Sequence, residues 1–135
     1  MAAPAAPGFE SLESRYSVHE TIDRLEALLS SKGIRIFARL DQASEAQAVG
    51  IPMRPMVLLI FGDPKTGSPL MDEYPSLAID LPLKALAWKS KEGKVYLSFN
   101  SADYLAERHQ LAGKPFKAVE SLFAQAATAT VPSPE

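Results

Sequence analysis

The stretch Gly62-Asp63-Pro64-Lys65-Thr66-Gly67-Ser68 sets two glycines five residues apart, between an apolar run and a short helical segment. That is the setting of a phosphate-binding loop, in which backbone N–H groups and a lysine cradle phosphate oxygens. The chemistry here departs from it. The lysine expected after the second glycine is missing, Pro64 removes an N–H from the cradle, and Asp63 puts negative charge where phosphate would sit. Nucleotide binding is not expected. A small anionic or polar ligand held by Gly62, Asp63, Lys65, Thr66 and Ser68 stays open. The plain alternative is a turn in which Asp63 caps its own backbone and the glycines take positive φ.

Asp80 is the second group of interest, because a carboxylate between Ile79 and Leu81 in an apolar extended segment has to be paired or hydrogen-bonded. Strict alternation puts it on the face of Ala78, Lys84, Leu86 and Trp88, within reach of Lys84 or Arg39, and it joins the ligand-binding set. His109 falls near the end of a helix with Tyr104, Glu107 and Arg108, where the helix dipole favours a cation. Asp80 and His109 are the catalytic candidates if the protein runs acid-base chemistry. Ion pairing and capping are the simpler roles for both, and the balance is against an enzyme. His19-Glu20-Thr21-Ile22-Asp23 is spaced like a zinc-protease helix with Asp in place of the second His, but no third ligand is evident. No metal and no other cofactor is expected.

These residues need elements to hold them. Met56 to Phe61 is an unbroken apolar run, which predicts a strand covered on both faces near the middle of a sheet. Upstream, Phe9 to Arg15 is weakly extended. Ser17 and Glu20 form a capping box for a helix whose stripe is Val18, Ile22, Leu25 and Leu29, closed by Gly33. From Ile34 the period becomes two, with Ile34, Ile36, Ala38 and Leu40 facing inward. Asp41 caps a short helix ending at Gly50. Downstream, Ser68-Pro69 starts a short helix over residues 70–73, and Leu77 to Ala87 alternates as an extended segment in which Pro82 demands an edge or a bulge. Ser90 to Gly93 is a hairpin loop into the strand of Val95, Leu97 and Phe99. Ser101 caps a helix ended by Gly113, and Pro115 opens a last one with Phe116, Val119, Phe123 and Ala126 inward. The fold class is α+β: a curved, mainly antiparallel sheet in the order β-α-β-α-β-(short α)-β-β-α-α, with helices on one face.

A chain of 135 residues with 47% hydrophobic and 22% charged residues supports one globular domain, placed at residues 9–127 between flexible tails at 1–8 and 128–135. Its net charge of −2 offers no basic field, so neither nucleic acid nor a membrane surface is expected as a partner. There is no cysteine, no leader-like N-terminus and no apolar run of membrane-spanning length, which together predict a cytoplasmic protein.

The order of motifs carries a resemblance. Phe61-Gly62-Asp63-Pro64, the pair Leu70-Met71 and the segment Asp80-Leu81-Pro82-Leu83-Lys84, with Thr21, Gly33 and Phe37 upstream, resemble the domain of unknown function 302 family. The chain departs from that pattern in Asp41-Gln42, where Asp-His is frequent, and in Asp63, where Asn is usual. The resemblance implies a compact α+β fold and a homodimer, and brings no agreed activity. The leading expectation is a dimeric, non-enzymatic module binding a small anionic or polar ligand near Gly62–Ser68. The alternatives are a small acid-base enzyme using Asp80 and His109, and a structural protein–protein interaction domain.

Overall fold

The computed structural model describes residues 6–128. Strands β1 (Phe9–Ser14), β2 (Arg35–Asp41), β3 (Met56–Gly62), β4 (Leu83–Lys89) and β5 (Val95–Asn100) form one antiparallel sheet in the order β1-β5-β4-β3-β2. The helices are α1 (Val18–Ser31), α2 (Gln42–Ala48), α3 (Pro64–Glu73), α4 (Ala102–His109) and α5 (Glu120–Thr128). Two 3₁₀ turns, Pro75–Ile79 and Lys117–Val119, complete the chain. The element order matches the sequence expectation, as does the α+β class with an open antiparallel sheet. Of the two expected tails, residues 1–5 and 129–135 lie outside the described residues. Gly8 is tied down, its carbonyl accepting from Ser101 N at 2.8 Å, and Thr128 closes α5.

Local chemistry accounts for most boundaries. The Ser17 hydroxyl accepts from Glu20 N, and the Asp41 carboxylate accepts from Ser44 N, each satisfying a first-turn donor with no intrahelical partner. Gly33 and Gly50 follow α1 and α2 at φ +76° and +82°, where a Cβ would be strained. Helices α1 and α5 cover one face of the sheet. There Val18, Ile22, Leu25 and Leu29 meet Val57, Leu59, Phe61, Ala85, Ala87 and Leu97, and Phe123 lies between Phe61 and Phe99. A second cluster of Leu77, Ala102, Leu105 and Phe116 seats the first 3₁₀ turn against α4.

Six expectations change. Strand β3 lies second from one edge rather than in the middle, and α1 and α5 cover only its Val57–Leu59–Phe61 side; Leu58 and Ile60 pack against neither core cluster. In β2 a bulge at Phe37 shifts the register between Ile36 and Ala38. Side chains alternate with a period of two, so one extra residue inverts every face beyond it. Arg39 therefore turns toward α1, bonding Asp23 and Glu26, while Ala38 and Leu40, expected inward, sit opposite Ile60 and Leu58 on the other face.

The other four lie downstream. Helix α3 begins at Pro64, not after Ser68, because Asp63 is an N-cap as competent as Ser68 and Pro64 suits the first helical position; Pro69 is carried inside the helix. Leu77 to Ile79 is 3₁₀ rather than extended, with Leu77 buried and Ile79 71% exposed, and the strand starts only after Pro82. At the chain's end α4 stops four residues before Gly113, with Gln110 in the left-handed region at φ 54°, and α5 starts five residues after Pro115.

Candidate functional site

Asp63 occupies the N-terminus of α3 itself. Its carboxylate accepts from Lys65 N at 3.1 Å and from the Thr66 hydroxyl at 3.3 Å, where an anion would otherwise dock. Neither Gly62 nor Gly67 takes a positive φ. Gly62 ends β3 and Gly67 is buried inside α3, so what they supply is room. A Cβ at Gly62 would lie 3.6 Å from Phe37 Cε1 and from Pro82 Cβ, and one at Gly67 would lie 3.5 Å from Leu81 Cδ1.

That room belongs to a groove of about 760 Å³. One wall is Gly62, Asp63, Pro64, Thr66, Gly67, Ser68 and Met71; the floor is Phe61 with Leu81 to Leu83; the far wall is Pro115, Phe116, Ala118, Val119, Ser121 and Leu122. Lys32, Ile34 and Phe37 close the end under the β2 bulge. The bulge matters, because Phe37 is the inserted residue and stands 42% exposed at the groove, with the Arg35 guanidinium 4.7 Å over its ring. Five lining residues are polar or charged, Lys32, Asp63, Thr66, Ser68 and Ser121, and two are glycine; the remaining thirteen are apolar. Volume and lining both suit a small organic molecule.

Of the residues singled out in the sequence, Gly62, Asp63, Thr66 and Ser68 share this groove, whereas Lys65 and Asp80 do not line it. Asp80 is carried at the C-terminal end of the first 3₁₀ turn, one residue ahead of the groove's Leu81, and meets neither Lys84 nor Arg39. Its carboxylate accepts from Arg108 Nη1 at 3.2 and 3.1 Å and lies 2.5 Å from His109 Nε2. His109 Nδ1 is hydrogen-bonded to Ser76 Oγ at 2.8 Å. The two catalytic candidates are therefore in contact. The cavity that Asp80 does line measures about 10 Å³, enough for one water molecule. Ser76 as a partner of His109 and Arg108 as a partner of Asp80 had no sequence signal; Phe37 and the segment from Pro115 to Leu122 were likewise invisible as groove walls, since only the bulge and the chain's return bring them there. His19 and Asp23, paired in the zinc-like pattern, diverge, His19 reaching Asp41 at 3.0 Å and Asp23 reaching Arg39 at 2.7 Å.

Sheet order, one-sided helix cover and element succession define a small α+β domain with an open five-stranded antiparallel sheet. The same architecture occurs in the crystal structure of an uncharacterized conserved protein, DUF302, from Bacillus stearothermophilus, at a TM-score of 0.68 and 21% identity, covering 89% of this chain and 90% of that one. The chain belongs to the family described as Domain of unknown function DUF302, whose profile matches residues 10–129.

Longer relatives exist. The chain is 38% identical over 130 residues to the protein named Fluoride-specific ion channel FluC 1 of Brucella suis biovar 1, and equally to Fluoride-specific ion channel FluC 2 of Brucella melitensis biotype 1. The match takes in 96% of this chain but 51% and 48% of those proteins, so the chain spans about half the length of the curated relatives it matches. Among the described residues no helix is long and apolar enough to cross a membrane.

Proposed function

We propose that this protein is a dimeric, non-enzymatic module that holds a small anionic or polar ligand in the groove beside Gly62–Ser68. The observation that carries this is the groove of about 760 Å³, within the roughly 300–1,000 Å³ typical of small-molecule sites, with its polar groups gathered from the segment that the sequence singles out. The groove lies beside Asp80 without containing it or His109. Those two are committed to one another, to Ser76 and to Arg108, and no substrate-sized space opens on them, which supports a structural bolt over an acid-base pair.

The dimer is supported by the uncovered face of the sheet. Met56, Leu58, Ile60, Leu86 and Trp88 alternate with the helix-covered residues of β3 and β4, and bulge-inverted Leu40 extends them to the edge strand. Open antiparallel faces are ordinarily polar. Part of its polar surface is satisfied internally, Trp88 Nε1 donating to Ser98 Oγ at 2.9 Å and Ser98 bonding Ser11 at 2.7 Å, while exposed Lys84, opposite Ile60, is the charge that a covering partner has to meet. Strand spacing and rise make this face roughly 20 by 24 Å, which supplies much of the ~800 Å² per partner of a standard interface. A second copy packed sheet to sheet about a twofold axis is the occupant.

In the Brucella relatives the matching half is joined to a further stretch of similar length. A thermal-shift screen of small carboxylates, phosphates and polar neutral compounds tests the binding function. A ligand present at a hundredfold its Kd adds about 2.7 kcal/mol. The expected result is a stabilising shift that Gly67→Leu abolishes by growing toward Leu81 across the groove. No shift from any compound overturns it.

A further inference from the structure

The groove's lining says more about the ligand than its polar rim does. Thirteen of its twenty wall residues are apolar, and half-buried Leu81, Leu83 and Val119, with the edges of buried Phe116 and Leu122, form its bed. A small hydrophilic anion would leave that bed wet. Lys32 is the one cationic residue of the wall, and among the described residues its ammonium is in no ion pair. The one acid of the wall, Asp63, is spent on Lys65 N and Thr66. An apolar trough with a single uncompensated positive charge at one end is complementary to an amphiphile.

We propose that the ligand is an amphiphilic monoanion: an apolar chain or ring system seated on Leu81, Leu83, Val119, Phe116 and Leu122 beneath Phe37, with one carboxylate-like group at Lys32. This rests on the groove being the binding site and adds the ligand's class. Its energetics follow. Each methylene moved from water onto the bed contributes about 0.8 kcal/mol, or about fourfold in affinity. The exposed ion pair to Lys32 contributes up to about 1 kcal/mol, or up to fivefold.

Isothermal calorimetry with acetate, hexanoate, octanoate and decanoate below its micellar concentration, beside decanol and inorganic phosphate, separates these contributions. Affinity rises about fourfold per methylene along the carboxylates, acetate and phosphate give no heat, and decanol binds two- to fivefold more weakly than decanoate. Lys32→Glu, at an exposed position outside both core clusters, weakens decanoate and leaves decanol unchanged. Phosphate or acetate binding as well as decanoate overturns the amphiphile while leaving the groove as the site; silence from every compound overturns both. Capture of the protein by phosphatidylglycerol vesicles with no heat from monomeric decanoate assigns the anion to a bilayer surface and overturns the proposal too.

Discussion

Nε2 of His109 lies 2.5 Å from Oδ2 of Asp80, twenty-nine residues away in the chain, with the histidine side chain 3% exposed. A carboxylate can only accept, so Nε2 carries the proton, and a neutral ring then accepts from the Ser76 hydroxyl at Nδ1. The imidazole bolts the first 3₁₀ turn to the end of α4 and fixes where Leu81 enters the groove.

Removing the acceptor exposes the value of that bolt. Asp80→Ala leaves Nε2 buried without a partner, for which about 1–3 kcal/mol of lost stability is expected; Asp80→Asn keeps an acceptor and loses less. Urea denaturation monitored by circular dichroism measures both. Equal, negligible losses would contradict the structural role.

The proposed dimer has its interface on the open sheet face. Light scattering at micromolar concentration should give twice the 14.6 kDa chain mass, and Leu58→Glu should give a monomer with its helix content intact. Leu58 touches neither core cluster, so the charge disturbs the interface and not the fold. A wild-type monomer removes the dimer.

Asp41 gives a pH dependence whose direction is fixed. The hydrogen bond from His19, followed by that from Ser44 N, holds its carboxyl below the ordinary carboxylate range. A lowered folded value means that the folded state favours the ionised form, so the stabilisation is present above the unfolded value of about 3.9 and lost as pH falls through the folded one. Asp41→Ala should cost about 1 kcal/mol at pH 7, because it deletes the cap of α2; Asp41→Asn should cost a few tenths, since Asn caps equally well. The small gap between wild type and Asp41→Asn should close by pH 2. A gap independent of pH would contradict the assignment.

Phe37 should separate binding from stability. At 42% exposure its truncation to alanine is expected to shift the unfolding midpoint little, while the loss of its ring over the groove weakens an apolar ligand by about two- to tenfold. Calorimetry and thermal melts on the same variant decide it. A large fall in stability with unchanged affinity would place Phe37 in the core instead.

Much of this architecture was legible in the sequence, because caps, glycines and alternation act over a few residues. Ser17, Asp41 and Ser101 cap as their chemistry dictates, and β5 follows the apolar period of Val95, Leu97 and Phe99. What the sequence hid is non-local. Nothing in residues 34–40 marks the bulge, which arises from pairing with β3, yet it decides that Arg39 faces α1 and Phe37 faces the groove. Leu77 and Ile79 alternate like a strand, but burial of Leu77 against Leu105 and Phe116 pulls the segment into a 3₁₀ turn. The site was half visible. The segment 62–68 stood out by composition, while its apolar far wall, residues 115–122, comes from another part of the chain, and that wall changes the expected ligand from a bare anion to an amphiphile.

The most direct test is an amide-shift titration of the ¹⁵N-labelled protein with decanoate. The account predicts saturable shifts concentrated at Gly62, Thr66, Gly67, Leu83 and Val119, with β1 and the 90–94 hairpin still. Shifts confined to Leu58, Ile60 and Leu86 on the open sheet face, or none at any ligand concentration, would contradict it.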